Sequence, residues 1–149
     1  MRKYYPQILS VHLFWIVNDK ILLLRRYNTG YMDGYWSVPA GHVEAKESAT
    51  YAMIREAKEE IGVDFKPEEL KPVYFMHRFE NQERVDFFFR TSKTGIEPKN
   101  MEPNKADALD WFPLSSLPQN MVPYVRKALE SYLNGEIYGE FGWSTQFLK

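Results

Sequence analysis

The stretch Gly41-His42-Val43-Glu44-Ala45-Lys46-Glu47-Ser48-Ala49-Thr50-Tyr51-Ala52-Met53-Ile54-Arg55-Glu56-Ala57-Lys58-Glu59-Glu60-Ile61-Gly62-Val63 decides how the rest of the chain is read. Its second half predicts a helix over Ser48–Ile61. Ser48 suits the cap that starts it, and Gly62 stands where a left-handed residue closes one. At 3.6 residues per turn, Thr50, Ile54, Ala57 and Ile61 share a stripe expected to face the core. Glu56, Glu59 and Glu60 fall at i, i+3 and i+4 on a different face, within about one turn of each other. Carboxylates that close repel without cations, and oxygen-rich clusters are what Mg²⁺ or Mn²⁺ prefers. Taken alone, Arg55, Lys58 and the three glutamates equally describe a solvated, salt-bridged helix face.

The spacing separates these two readings. Gly41 is followed by five residues and Glu47, then by seven residues and Arg55-Glu56; Ala57, Lys58, Glu59-Glu60, Ile61, Gly62 and Val63 complete the run. This resembles the Nudix box, G-x5-E-x7-R-E-U-x-E-E-x-G-U, where U is a bulky apolar residue. Every fixed position matches: Gly41, Glu47, Arg55, Glu56, Glu59, Glu60 and Gly62. Val63 fits its apolar position well, whereas Ala57 is apolar but small. At residue frequencies of about 5–7%, seven fixed matches arise by chance at on the order of 10⁻⁸ or less per window.

The resemblance implies a Nudix-type α/β (α+β) fold, an α/β/α sandwich with a mixed sheet between helices. It also implies a Mg²⁺-dependent hydrolase, with Mn²⁺ a substitute. Glu56, Glu59 and Glu60 take the metal-binding and water-activating positions. Arg55 takes that of an arginine that orients a glutamate, Glu47 that of its supporting carboxylate, and Gly41 and Gly62 are structural. Trp36-Ser37-Val38-Pro39-Ala40-Gly41 resembles the approach to the box in the same family. Ala40 stands where many members have glycine, and its backbone carbonyl would be a metal ligand. Gly95–Glu102 resembles a loop of the mutator-type nucleotide pyrophosphatases, which makes Glu102 a further metal ligand or base, with Glu97 or Asp86 as alternatives. Glu56 is the first choice for general base and Glu102 the second.

Further from the box the residues say less. Arg25 and Arg26 end a β-prone run and are candidates to hold phosphates; strand alternation allows only one of them to face substrate, and Arg26 is preferred. Asn120 is the candidate reader of a base edge, by likeness to the mutator-type relatives. Tyr31, with Tyr27 and Tyr35, is a candidate to stack on a base. His12 and His77 lie in apolar strands and read as core or strand residues, and His42 carries no assigned chemistry.

Ile8–Val17 and Ile21–Arg26 predict a hairpin turning at Asn18-Asp19-Lys20. Val73–Phe79, Val85–Arg90 and Ala106–Phe112 predict strands, and Val122–Leu133 a late helix. Tyr27–Tyr35 and Gly95–Lys105 read as loops. Ile137–Lys149 has no periodicity and is expected to pack on the body. Strands between an early and a late helix support the layered α/β architecture.

A length of 149 residues fits one domain, 1–149, with a sizeable core, and 44% hydrophobic residues exclude a disordered class. The net charge of −1 gives no general attraction to nucleic acid or membrane, so an anionic substrate must be held locally or through a metal. The absence of cysteine excludes disulfides and thiolate chemistry and fits a reducing cytoplasm. Arg2 and Lys3 precede the apolar Ile8–Val17, but no cleavage site follows, and the run is too short to span a bilayer. A cytoplasmic monomer or homodimer acting on a small nucleotide is expected. The leading activity is conversion of a nucleoside triphosphate, including oxidised or non-standard ones, to monophosphate and pyrophosphate. The alternatives are a pyrophosphatase of ADP-ribose, a nucleotide sugar or a dinucleotide, and a catalytically silent nucleotide-binding module. RNA decapping ranks low without a basic surplus.

Overall fold

A computed structural model of the chain describes residues 1–144. Strand β1 (Ile8–Val17) turns back into β2 (Lys20–Arg26), with Val17 opposite Lys20. Asn18 and Asp19 both have positive φ, 51° and 61°, the backbone that a two-residue hairpin turn requires and that Asn and Asp tolerate. β3 (Trp36–Ser37) and β4 (Ala40–His42) are short and lie either side of the Val38-Pro39 bend. They are followed by α1 (Ala49–Ile61), β5 (Lys71–Glu80), β6 (Gln82–Thr91), β7 (Ala106–Pro113), α2 (Pro123–Leu133) and β8 (Tyr138–Phe141). A 3₁₀ turn at Pro67–Glu69 was not anticipated, nor was β8, whose four residues show too short a pattern to read. The part of the Ile137–Lys149 segment beyond residue 144 lies outside the described residues.

The sheet is mixed, in the order β3-β2-β1-β6-β5-β8, with β4 on β1 and β7 on β2. β1 runs parallel to β6, and β5 parallel to β8. Alternation along the central strands divides the core in two. Val11, Leu13 and Trp15 of β1, with Leu22 and Leu24 of β2, pack on α1 through Ala52, Met53, Ala57 and Ile61. Phe14, Ile16, Ile21 and Leu23 point the other way and meet Val125, Ala128 and Leu129 of α2. Both faces of the sheet are therefore covered by helices, as in an α/β/α sandwich.

Helix α1 is bounded as its sequence foretells. The Ser48 hydroxyl accepts from the Tyr51 N–H at 3.2 Å, and Gly62, at φ 70°, closes the helix by donating to the Lys58 carbonyl. A Cβ on Gly62 would also press on Met101. Gly62→Ala is expected to lower stability by about 1 kcal/mol in chemical denaturation.

Candidate active site

The packed face of α1 is rotated from the expected stripe. Its buried residues are Ala52, Met53, Ala57 and Ile61, while Thr50 and Ile54 lie on the flank. The small Ala52 lets the helix sit close to β1, and Met53 fills the space beside it. This rotation brings Glu56 and Glu60 to the border between core and solvent rather than onto an open face. Glu60 accepts the Ala40 N–H at 3.0 Å. A residue in an antiparallel strand presents its N–H and C=O to the same edge, so the Ala40 carbonyl leaves β4 on the side that meets Glu60.

Gly41 does more than allow a bend. Its φ is not in the positive region, but a Cβ there would overlap the Glu56 carboxylate. Glycine is the residue that lets that carboxylate lie against the strand. Burial pushes the Glu56 carboxyl above its ordinary range, against the pull of Arg55, and the Glu59 and Glu102 charges add to the rise. Burial, reinforced by Glu56, pushes Glu60 well above it.

Arg55 gathers the acidic side chains. Its Nε and Nη2 donate to Glu47 at 2.8 and 3.0 Å, a bidentate fork, and Nη1 donates to Glu56 at 2.8 Å. Nη2 also holds the His42 carbonyl at 3.0 Å, and Glu59 stands 3.4 Å from Nη1. The fork holds the Glu47 carboxyl at about 2. Because that value is depressed, Glu47 contributes stability above its unfolded pKa, and the contribution is lost as pH falls towards 2. In acid titrations the stability difference between wild type and Glu47→Gln should be full at neutral pH and shrink between about pH 4.5 and 2; a constant difference would refute the linkage.

The loop after β6 is docked on the end of α1. Lys99 N–H donates to the Ile61 carbonyl at 2.9 Å and Met101 N–H to the Glu60 carbonyl at 3.0 Å, satisfying groups that a helix end leaves open. Asn100 Oδ1 then accepts the Glu102 N–H at 3.1 Å, and its Nδ2 donates to the Ala106 carbonyl at 2.7 Å. Glu102 thereby reaches the site, with Lys105 3.7 Å away. Glu97 is exposed away from it, and Asp86 is wholly buried against Arg78, so neither alternative acid stands with the cluster.

Ala40, Arg55, Glu56, Glu59, Glu60 and Glu102 line a cavity of about 840 Å³, which also takes in Arg26, Tyr31, Arg78, Glu80, Arg84 and Tyr124. Arg25 is a correction: it points off the cavity, paired to Asp107 at 2.7 Å and lying over the Trp36 ring. Strand alternation and the irregular register between Arg25 and Arg26 separate the two. Asn120 is another correction. It is exposed, outside the cavity lining, and its Nδ2 donates to the Gly34 carbonyl at 2.8 Å, which ties the Tyr27–Tyr35 loop to the start of α2. Tyr27 and Tyr35 also lie outside the lining, whereas Tyr31 is in it and donates its hydroxyl to Glu80 at 2.9 Å.

Sequence reasoning missed Arg78, Glu80, Arg84 and Tyr124. For Arg78, Glu80 and Arg84 the available signal was a strand alternation in β5 and β6 that places charged residues where apolar ones are expected, whereas Tyr124 lies on α2 and carried no such signal. His12 does sit in the interior, but it too borders the cavity. Burial holds it at about 4, so the ring is neutral, and its Nε2 stands 2.9 Å from the Tyr124 hydroxyl.

Among the described residues, no three acidic or histidine side chains already converge as a metal-gripping trio. The donor set still fits a hard divalent cation: carboxylates of Glu56, Glu60, Glu59 and Glu102 with the Ala40 carbonyl nearby, all oxygen. The crowding of Glu56, Glu60 and Glu102 is a cost that such a cation relieves.

The fold, with a carboxylate-bearing helix docked beside a glycine-hinged strand and lining a cavity, defines a NUDIX domain. Residues 6–132 match the family model of that name, and the chain belongs to the Nudix hydrolase family. Members of that family are pyrophosphohydrolases of nucleoside diphosphate and triphosphate derivatives and generally use divalent metal ions. The chain is 33% identical over 112 residues to human 8-oxo-dGDP phosphatase NUDT18, covering 71% of this chain but 32% of that protein. It is 27% identical over 116 residues to phosphatase NudJ of Escherichia coli K12, covering 72% and 76% of the two. The crystal structure of a MutT NUDIX hydrolase from Burkholderia pseudomallei superposes with a TM-score of 0.77 at 26% identity, over 84% of this chain and 97% of that one. No helix among the described residues is long and apolar enough to cross a membrane.

Proposed function

We propose that this chain, as a single domain, hydrolyses a pyrophosphate bond of a nucleoside triphosphate in the presence of Mg²⁺, releasing nucleoside monophosphate and pyrophosphate by attack of water on phosphorus. The observation that carries the reading is that Glu56, Glu60 and Glu102, with Glu102 close enough to raise the carboxyls of the other two, line a single cavity together with Arg26. Its volume falls in the range of small-molecule sites and suits a single nucleotide.

Glu56, Glu59, Glu60, Glu102 and the Ala40 carbonyl would hold Mg²⁺. When bound, the ion neutralises phosphate oxygens and acidifies a water. The protein's own part is orientation and proton transfer. Arg55 holds one Glu56 oxygen, and the second has no hydrogen-bond partner among the described residues. That oxygen is placed to take the proton of the attacking water, with Glu102 the second choice. Glu47 locks the Arg55 fork. The Nε of Arg26 donates to the Tyr31 carbonyl at 2.6 Å and one Nη2 proton goes to Thr29, which leaves N–H groups for phosphate oxygens.

The test is a substrate panel with purified protein and Mg²⁺: the common nucleoside triphosphates, oxidised deoxynucleotides, the corresponding diphosphates and ADP-ribose. The diphosphates belong there because the human relative is named an 8-oxo-dGDP phosphatase. Turnover of triphosphates to monophosphate and pyrophosphate, lost with EDTA, is expected. Turnover of ADP-ribose alone would overturn the reading.

A further inference from the structure

The sheet face that packs on α2 is apolar for only part of its length. Towards α2's C-terminal side it carries Phe14, Tyr74, Met76 and Phe88, in contact with the helix. Beyond the start of α2 the strands continue, and apart from Ile8 at the outer end of β1 the side chains of these three strands on that face become polar: Ser10 and His12 of β1, Arg78 and Glu80 of β5, Arg84 and Asp86 of β6. The register puts them on one surface, because Ser10 lies beside Asp86 and Arg78 opposite Arg84. Glu80 stands two residues from Arg78 and so shares its face.

Three of these groups are almost fully enclosed, with His12, Arg78 and Asp86 at 1%, 3% and 0% exposure. They form a rigid floor. Arg78 makes a two-point ion pair with Asp86, at 2.7 and 3.1 Å, and its guanidinium lies 3.6 Å from the Tyr124 ring. The remaining pair is different. Glu80 is partly exposed; it takes Arg78 Nη1 on one oxygen and the Tyr31 hydroxyl, which leaves acceptor capacity on Oε2. Arg84 donates Nε to the Glu80 carbonyl at 3.0 Å, and its two Nη groups have no protein partner among the described residues. A partly buried guanidinium and a carboxylate, side by side on a cavity wall, are a donor-only group next to an acceptor-only group. Tyr31 supplies an aromatic flank.

We propose that this wall is where the nucleobase is read, with Glu80 and Arg84 as the specificity-determining residues. Glu80 accepts an N–H of the base edge, and Arg84 donates to a ring carbonyl or nitrogen beside it. Arg78, Asp86 and Tyr124 are positioning residues that hold Glu80 in place. The inference rests on the reading of the carboxylate cluster as the pyrophosphate site: Glu56 lies against Gly41 of β4, on the other side of β1 from β6 and β5, so a nucleotide held there by its phosphates has its base left for this wall. It replaces Asn120, which is occupied by the Gly34 carbonyl.

Because nucleoside monophosphates have no scissile anhydride, their binding tests the wall separately from hydrolysis. Titration calorimetry with AMP, GMP, CMP, UMP and ribose 5-phosphate is the measurement, on wild type, Glu80→Gln and Arg84→Met, with melting temperatures confirming that each variant folds. In the wild type the best nucleotide should bind at least tenfold more tightly than the worst and than ribose 5-phosphate, and each variant should reduce that spread to less than threefold. Ribose 5-phosphate binding as tightly as the best nucleotide would overturn the proposal. So would an unchanged ranking and spread in both variants. Failure of the hydrolysis panel with base-dependent binding retained would instead locate the error in the proposed reaction.

Discussion

Glu56→Gln should reduce kcat/KM by about 10²–10⁴-fold, the range lost when a positioned general base is removed. Glutamine keeps the shape that fits over Gly41 and can still accept from Arg55, so the fold should persist; what disappears is the charge and the oxygen able to take a proton. Gly41→Ala provides an independent route to the same loss. Its Cβ would overlap the Glu56 carboxylate and force it off the strand without changing any acidic residue. Comparable losses in both variants, with unchanged melting temperatures in Glu56→Gln, would assign the effect to carboxylate position. Activity within tenfold of wild type in Glu56→Gln would sink Glu56 as the base and shift the role to Glu102.

The largest effect on stability is expected at Asp86. Asp86→Ala leaves the Arg78 guanidinium in the interior with its two-point partner gone. Breaking a buried pair from one side costs about 3–5 kcal/mol, because the surviving charge is neither solvated nor compensated. Glu80, 2.6 Å from Arg78 Nη1, offsets part of this, so a loss near the lower end is expected by urea denaturation. Removing both charges, in Arg78→Met with Asp86→Leu, should recover most of that stability, since a well-packed apolar pair avoids desolvation altogether. A double variant as unstable as Asp86→Ala would show that the ion pair itself, rather than the orphaned charge, carries the energy.

Much of the fold follows from local signals. The Asn18-Asp19 turn, the Ser48 and Gly62 caps and the runs that became β1, β2, β5, β6 and β7 lie close to where their residues place them. Each rests on neighbours in sequence: a dihedral preference, a cap or an apolar alternation. β8 escaped because four residues paired to β5 owe their conformation to the partner strand, not to their own pattern. The rotation of α1 escaped for a related reason. Periodicity defines a stripe, but the size of Ala52 and Met53 against β1 decides which residues of that stripe pack innermost.

The carboxylate cluster divides along the same line. The chain by itself determined the family and the set Glu47, Arg55, Glu56, Glu59 and Glu60, because the spacing of four of them on one helix, with Glu47 just ahead of its cap, is a property of the sequence. Tertiary structure alone decided that Gly41 clears room for Glu56, that Ala40 meets Glu60, that Asn100 brings Glu102 to the cavity, and that Arg25 and Asn120 turn away from it. It also decided that Arg78, Glu80 and Arg84 line the same cavity. Those groups come from strands whose neighbours in space lie far apart in the chain, so no local pattern of residues encodes their meeting.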